Sequence, residues 1–388
     1  MDAIGLANRS LCPSAPLARD GRERRPTPGV RAVGPAPADL VGMETNGRPS
    51  VRLSVLIPSR GRPDKLDACL ASLARQDTPP TFEVLVGLDG GTRAERERLL
   101  AEHGPRLGRA LEVHAMPRSG YIPVRRSLFE RARGEIGLSL NDDVVCDPRL
   151  LAEHDRLHRG SGPEPAVIAG RASWAAVTEP TLFDAVVQRS DLLFFDPARR
   201  RGAPSYRECY GLNMSAPVRD IEAAGGVRGP AHGYGYDDIE LAWRLVEHRG
   251  ARIIDGADAR VVHDHRHSPR DVMRREYLLG RAAWDYAGLN PAFSAELHGR
   301  SLRSSQEVSW ARSLLRRQRR DAERVERTFL AHADRPWTDD RDLLSVLAEH
   351  WLPLKRYLWA WGLLDAADGV EPRWSALSDA PALPAARC

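Results

Sequence analysis

Three short apolar runs, each stopping at a compact polar element, constrain this chain more than anything else in its sequence. Residues 51–57 lead through Pro58 into Ser59-Arg60-Gly61-Arg62, residues 83–88 stop at Asp89-Gly90-Gly91, and residues 136–140 run into Asn141-Asp142-Asp143. Branched apolar runs of this kind read as strands buried on both faces, and Pro58 is expected to end the first. Residues 64–76 carry Leu66, Cys69, Leu70 and Leu73 at helical spacing behind Pro63. Another short strand at 111–115 precedes a helix over 123–133, which Gly134 closes. Strands alternating with helices predict an α/β domain with a mostly parallel sheet. In such sheets ligands gather at the carboxyl ends of the strands. Chance loops are also polar, but they need not be short and carboxylate-tipped.

A length of 388 residues leaves room for that domain and a second, smaller region. Residues 1–50 are rich in Pro, Ala, Gly and Arg without a period, which predicts disorder or an over-extended start, with Met43 just ahead of the first strand. Farther on, 167–170, 252–254 and 260–263 read as strands, and 238–248 reads as a helix stopped by Gly250. Beyond Pro269 the pattern is helical. The expected domains are therefore 1–50, 51–269 and 270–388.

Charge excludes little but points away from nucleic acid: 57 basic against 53 acidic residues leave a net charge of +4. The five cysteines form no CxxC pair, which argues against a disulfide framework and suits a cytoplasmic setting. No apolar run approaches a membrane span, and the N-terminus lacks a signal-peptide layout. In the C-terminal region, Trp351, Leu354, Leu358, Trp361 and Leu364 fall on one helical stripe, beside an Arg-rich segment that starts at Trp310. That stripe suits either packing onto the domain or peripheral contact with the inner face of a membrane.

Several groups carry chemistry, each with a plain alternative. Adjacent Asp142 and Asp143 repel unless a cation or hydrogen bonds compensate; a divalent ion on a diphosphate would do so, and an Asp-rich turn is the alternative. Asp89 before two glycines can accept a hydrogen bond from a base or ribose, or form a simple Asp-Gly turn. Gly233-Tyr234-Gly235-Tyr236-Asp237-Asp238 is a glycine-aromatic loop opening a helix. Its carboxylates suit a general base or a helix cap. His263-Asp264-His265-Arg266-His267 places histidines at alternate positions, suiting a metal site or a solvated loop.

From Ser54 to about Gly280 these elements, taken in order, resemble the family 2 glycosyltransferases of the GT-A fold, a Rossmann-like domain here followed by a helical C-terminal region. Residues 54–62 resemble the family's first strand and nucleotide turn, and 84–92 its base-binding element, with Leu88 in place of the first Asp. Gly120, Arg125 and 132–135 resemble the helix whose Arg approaches the nucleotide. Leu140-Asn141-Asp142-Asp143 sits at the Asp-x-Asp metal motif, with Asn at the first position. Gly211-Leu212-Asn213-Met214-Ser215 resembles a stretch lining the donor and acceptor cleft, and 233–244 the acceptor loop, with Asp237 in place of Glu. Val261-Val262-His263 falls where several GT-A enzymes place a histidine ligand.

The resemblance implies a glycosyltransferase, inverting and metal-dependent, that moves a sugar from a nucleotide-sugar donor, most often UDP-linked, to an acceptor hydroxyl. It implies Mn2+ or Mg2+ held by Asp143 and His263, and Asp238 as base. Pro58, Ser59, Arg62, Asp89, Arg125 and Asp142 are implied at the nucleotide, and Asn213, Tyr234, Tyr236 and Asp237 at the cleft. The acceptor is left open between a glycan, a lipid-linked molecule and a small molecule. A sugar nucleotidyltransferase and a non-catalytic nucleotide-sugar-binding protein are the alternatives, with a zinc hydrolase built on 263–267 a third.

Overall fold

The computed structural model describes residues 51–189, 203–230, 233–338 and 340–372, so the expectation for 1–50 lies outside the described residues. The chain opens with β1 (Leu53–Ser59), α1 (Pro63–Leu73), β2 (Phe82–Asp89), α2 (Arg93–Leu107), β3 (Leu111–Met116), α3 (Tyr121–Phe129) and β4 (Ile136–Leu140). Then come β5 (Val144–Cys146), α4 (Leu150–Gly160), β6 (Ala166–Trp174), α5 (Leu182–Arg189), β7 (Asn213–Pro217), α6 (Val218–Ala223), α7 (Asp237–Arg249) and β8 (Arg252–His263). The helices α8 (Pro269–Leu289), α9 (Pro291–His298), α10 (Ser305–Ala333) and α11 (Arg341–Ala367) complete it.

The strands form one eight-stranded sheet in the order β3-β2-β1-β4-β7-β6-β8-β5. Pairings β3–β2, β2–β1, β1–β4 and β6–β8 are parallel, while β4–β7, β7–β6 and β8–β5 are antiparallel. Every residue of β1 and β4 is buried, as continuous apolar runs require.

Pro58 does not end β1; it pairs with Gly87 of β2 near the strand's end. A proline is tolerated there because the β4 ladder stops at Leu56–Ser139, so no partner on that side needs the missing N–H. The two strands expected at 252–254 and 260–263 are halves of β8, whose register against β6 jumps from Gly170–Gly256 to Arg171–Arg260. The residues between bulge out, which hides a long strand from any strict period.

Helix α2 carries no apolar stripe that would mark it in the sequence. It is charged and buries only Leu99, His103 and Leu107. The signal that marks it is a capping box: the Thr92 hydroxyl accepts from Glu95 N, while the Glu95 carboxylate accepts from Thr92 N.

The C-terminal helices do not float free. Trp351, Leu354, Leu358, Trp361 and Leu364 are all buried, joined by Trp359, in a core shared with Met273 and Tyr277 of α8 and Leu182–Val187 of α5. The stripe therefore packs inward and is not available to a lipid surface, and none of the described helices is long and apolar enough to cross a membrane. Ala282 and Tyr286, also on α8, join the second core beneath the sheet, so α8 ties the two layers together.

The α8–α11 contact depends on two glycines. A Cβ on Gly362 would lie 1.8 Å from the Tyr277 carbonyl oxygen, and one on Gly280 would lie 1.9 Å from that of Trp359. Gly362→Ala is expected to lower stability by about 1–3 kcal/mol or more, because the backbones must separate. Thermal melts check this against Gly104→Ala, where the added carbon meets nothing within 4 Å.

Candidate active site

The topology explains why distant carboxylates and imidazoles meet. β1, β2, β3 and β4 run parallel and finish on one side, at Ser59, Asp89, Met116 and Leu140. β8 ends on the same side at His263, and its antiparallel pairing with β5 matches Val144 to His263. Asp143, the residue before Val144, is thus placed beside His263, and Asp264 N donates to the Asp143 carbonyl at 2.8 Å.

Asp142 and Asp143 are both buried, at 0% and 3% exposure. Ser59 Oγ donates to Asp142 Oδ2 at 2.7 Å, and the Arg62 guanidinium donates to both Asp142 and Asp143. Burial raises the Asp142 carboxyl, with Arg62 and Ser59 pulling the other way. Burial also works against ionised Asp143, but His263, His265 and Arg62 outweigh it and hold that carboxyl well below the usual carboxylate range. Asp143 Oδ1 lies 3.4 Å from His263 Nε2 and Oδ2 lies 3.3 Å from His265 Nδ1. Oδ1 is buried and accepts no hydrogen bond.

The histidines sit in an aromatic stack. Trp174 stacks on His263 with centroids 4.8 Å apart and ring planes inclined by 30°, and the His265 and His267 centroids are 4.3 Å apart. Burial and the neighbouring imidazoles push His267 down to about 3, so it is neutral at physiological pH. One or two carboxylates with two imidazoles form a donor set that fits a divalent cation. His265 joins His263 at this carboxylate, and the alternation of the two histidines along the chain is the sequence signal for it. Asp67, Glu102 and His103 also lie close together, but Arg98 already pairs with both carboxylates.

Asp89 caps the loop before α3: its carboxylate accepts from Ser119 N at 2.7 Å and Gly120 N at 3.1 Å. Arg60 is 3.9 Å away. A carboxylate with about four lone-pair positions keeps capacity for a further donor.

Arg125 is fully buried, and its Nη1 donates to Asp237 Oδ2 at 2.6 Å. The structure gives this guanidinium a carboxylate partner inside the protein rather than the nucleotide contact expected of it. Gly211 covers it, for a Cβ there would come within 2.8 Å of the guanidinium. Burial pushes Asp237 up to about 6 against the pull of Arg125. Gly211 N in turn donates to Asp238 Oδ2 at 2.8 Å, and Ile239 N donates to Asp238 Oδ1 at 2.8 Å. The part-exposed Asp238 carboxylate is thus aimed by two backbone amides.

Tyr236 opens α7 at φ 66°, a left-handed position unusual for a bulky residue, immediately after Gly235 at φ 85°. This double left-handed step turns the chain into the helix and sets the Asp237–Asp238 pair at its N-terminus, where the helix dipole favours negative charge. Tyr236 is partly buried against Tyr286 and His298, while Tyr234 is 44% exposed and accepts from Arg275 Nε at 3.2 Å. Tyr121 lies between the carboxylate sets. Its hydroxyl donates to Asn141 Oδ1 at 3.1 Å, and it is within electrostatic reach of Asp142, Asp237 and Asp238.

Asn213 differs from expectation. It is buried, its amide donates to the Arg171 and Ala259 carbonyls at 3.1 and 2.9 Å, and its Oδ1 is 2.9 Å from His154 Nε2. Those contacts lock β6, β7, β8 and α4 together instead of lining an open cleft.

An eight-stranded mixed sheet with carboxylates at one end and a helical C-terminal region is a GT-A-like architecture. Residues 54–158 match the model of Glycosyl transferase family 2. It is 34% identical over 140 residues to O-antigen biosynthesis protein RfbC of Myxococcus xanthus, covering 35% of this chain and 10% of that protein. It is 27% identical over 220 residues to validoxylamine A glucosyltransferase of Streptomyces hygroscopicus subsp. limoneus, covering 50% of this chain and 48% of that one. The chain thus spans about half or less of the length of these relatives. Among solved structures it is similar to the mannosyltransferase PcManGT from Pyrobaculum calidifontis in complex with GDP-Man and Mn2+. There the TM-score is 0.52 at 18% identity, covering 81% of this chain and 87% of that one.

Proposed function

We propose that this chain is an inverting, divalent-metal-dependent glycosyltransferase that moves a sugar from a nucleoside-diphosphate donor, UDP-linked in the first instance, to an acceptor hydroxyl. The observation that carries it is the meeting of Asp142, Asp143, His263 and His265 at the strand ends, with the backbone-aimed Asp238 on the neighbouring helix. The match of residues 54–158 to the Glycosyl transferase family 2 model and the glucosyl transfer named for the Streptomyces relatives support sugar transfer.

Asp143, His263 and His265 would hold the cation, with imidazole nitrogen favouring Mn2+ over Mg2+. When bound, the ion neutralises the charge that develops on the leaving diphosphate. Asp142, held by Ser59 and Arg62, faces the ribose side, and Asp89 fixes the Ser119–Gly120 loop against the base. Asp238 takes the proton of the acceptor hydroxyl as that oxygen attacks the anomeric carbon from the face opposite the leaving group. Tyr234 offers an exposed ring as an acceptor platform. Arg125 and Asp237 belong beneath the site, as the buried pair that sets Asp238. A cytoplasmic setting fits the free thiols of Cys69, Cys146 and Cys209.

The test is a panel of UDP-, GDP- and dTDP-sugars incubated with the full chain and Mn2+, reading the free nucleoside diphosphate. Release from one donor class, abolished by chelation, is expected. Release from none of them, with the donor still bound, would make the chain a binding protein.

A further inference from the structure

Arg62 is the residue whose position the proposed reaction leaves unexplained. It belongs to the short loop after β1, 37% exposed, next to Gly61 at φ 64° with open space around it. From there its guanidinium reaches both buried carboxylates, Asp142 through Nη2 and Asp143 through Nη1, and Nη1 also lies 3.4 Å from His265 Nδ1. It therefore engages the same Asp143 carboxylate and approaches the same imidazole that form the divalent-cation donor set.

The geometry points to Arg62 as an exchangeable internal cation, one that shields Asp142 and Asp143 before loading and must give up Asp143 when a divalent ion binds. This rests on the metal-binding reading of Asp143, His263 and His265. Two carboxylates counted as ionised, bridged by one guanidinium, carry a charge of −1 between them. A divalent ion added to that set raises the local charge to +1. The guanidinium and the ion then repel each other, and both attract a diphosphate. Ion binding thus releases Arg62 from Asp143, and the forked, planar donor becomes free to engage a diphosphate oxygen. Its partial exposure and the adjacent glycine permit that swing; Ser59 keeps Asp142 in place while it happens.

The consequence is a coupling: the bare ion binds weakly because it competes with Arg62, and binds better once a diphosphate takes the guanidinium. The experiment titrates Mn2+ alone into the full chain by electron paramagnetic resonance, comparing the parent with Arg62→Met, Arg62→Lys and Asp143→Ala. Loss of the competing charge-assisted bonds should make Arg62→Met bind Mn2+ about tenfold or more tightly than the parent. Arg62→Lys, which keeps the charge but loses the fork, should fall between. The Mn2+ affinity gained on adding UDP should shrink in Arg62→Met. Unchanged or weaker Mn2+ affinity in Arg62→Met, with Asp143→Ala abolishing binding, would overturn the exchange and leave the metal site standing. Parent-like binding in Asp143→Ala would overturn the metal site itself. If Arg62→Met fails to fold, Arg62→Lys decides: affinity at or below the parent's overturns the exchange.

Discussion

Asp143→Ala is expected to abolish sugar transfer and to lower Mn2+-linked affinity for a nucleoside diphosphate by more than about a hundredfold. The reasoning is geometric. Both oxygens of this one carboxylate face imidazole nitrogens, at 3.4 Å for His263 and 3.3 Å for His265. His263 is fixed by the Val144–His263 pairing and by the stacked Trp174 ring. Removing the carboxylate therefore deletes the point where the donor set converges, while the strands that position it stay paired. Folding should survive, since alanine leaves no unpaired charge and Arg62 retains Asp142. Calorimetry with UDP and Mn2+ reads the effect; an unchanged affinity in the variant would move the metal elsewhere.

Asp238→Asn is expected to reduce turnover by about 10²–10⁴-fold, the usual loss for a general base, with donor binding close to normal. Capping complicates the substitution in a useful way. Both Asp238 oxygens accept backbone bonds, from Gly211 N and Ile239 N. An asparagine accepts at only one of them, so a stability loss of about 1 kcal/mol is expected beside the catalytic one. A thermal melt and a turnover assay separate the two. Activity within a fewfold of the parent, together with the small melt shift, would leave Asp238 as a cap alone.

The sequence disclosed most of what lies at the strand ends and little of what lies between distant strands. β1, β2 and β4 were readable because strands covered on both faces are continuously apolar, and their carboxylates follow directly in the chain. The antiparallel partners were not. β5 has three residues and β7 five, and their pairings join positions far apart in sequence, which no local period encodes. Helix α2 escaped notice because tertiary packing asks little of it, although its capping box was in plain view. The partners of polar groups were harder still. Arg125 and Asn213 have residue types suited to a cleft, yet the fold turns both inward, onto Asp237 and onto the Arg171 and Ala259 carbonyls. Burial is set by what covers a side chain, and for Arg125 the cover is Gly211, remote in sequence. The tryptophans gave the opposite lesson: their helical stripe was legible, and α8 supplied the packing partner that a membrane was one candidate for.

The most direct measurement is a calorimetric titration of UDP into the unmodified full chain, with and without Mn2+. Asp143, His263 and His265 holding one cation, with Arg62 free to meet the diphosphate, predict clear UDP binding with Mn2+ and weakening of at least about tenfold when the ion is chelated. Equal UDP affinity with and without the ion, or no binding of UDP, GDP or dTDP in either case, would contradict the account of this site as a metal-dependent nucleotide-sugar centre.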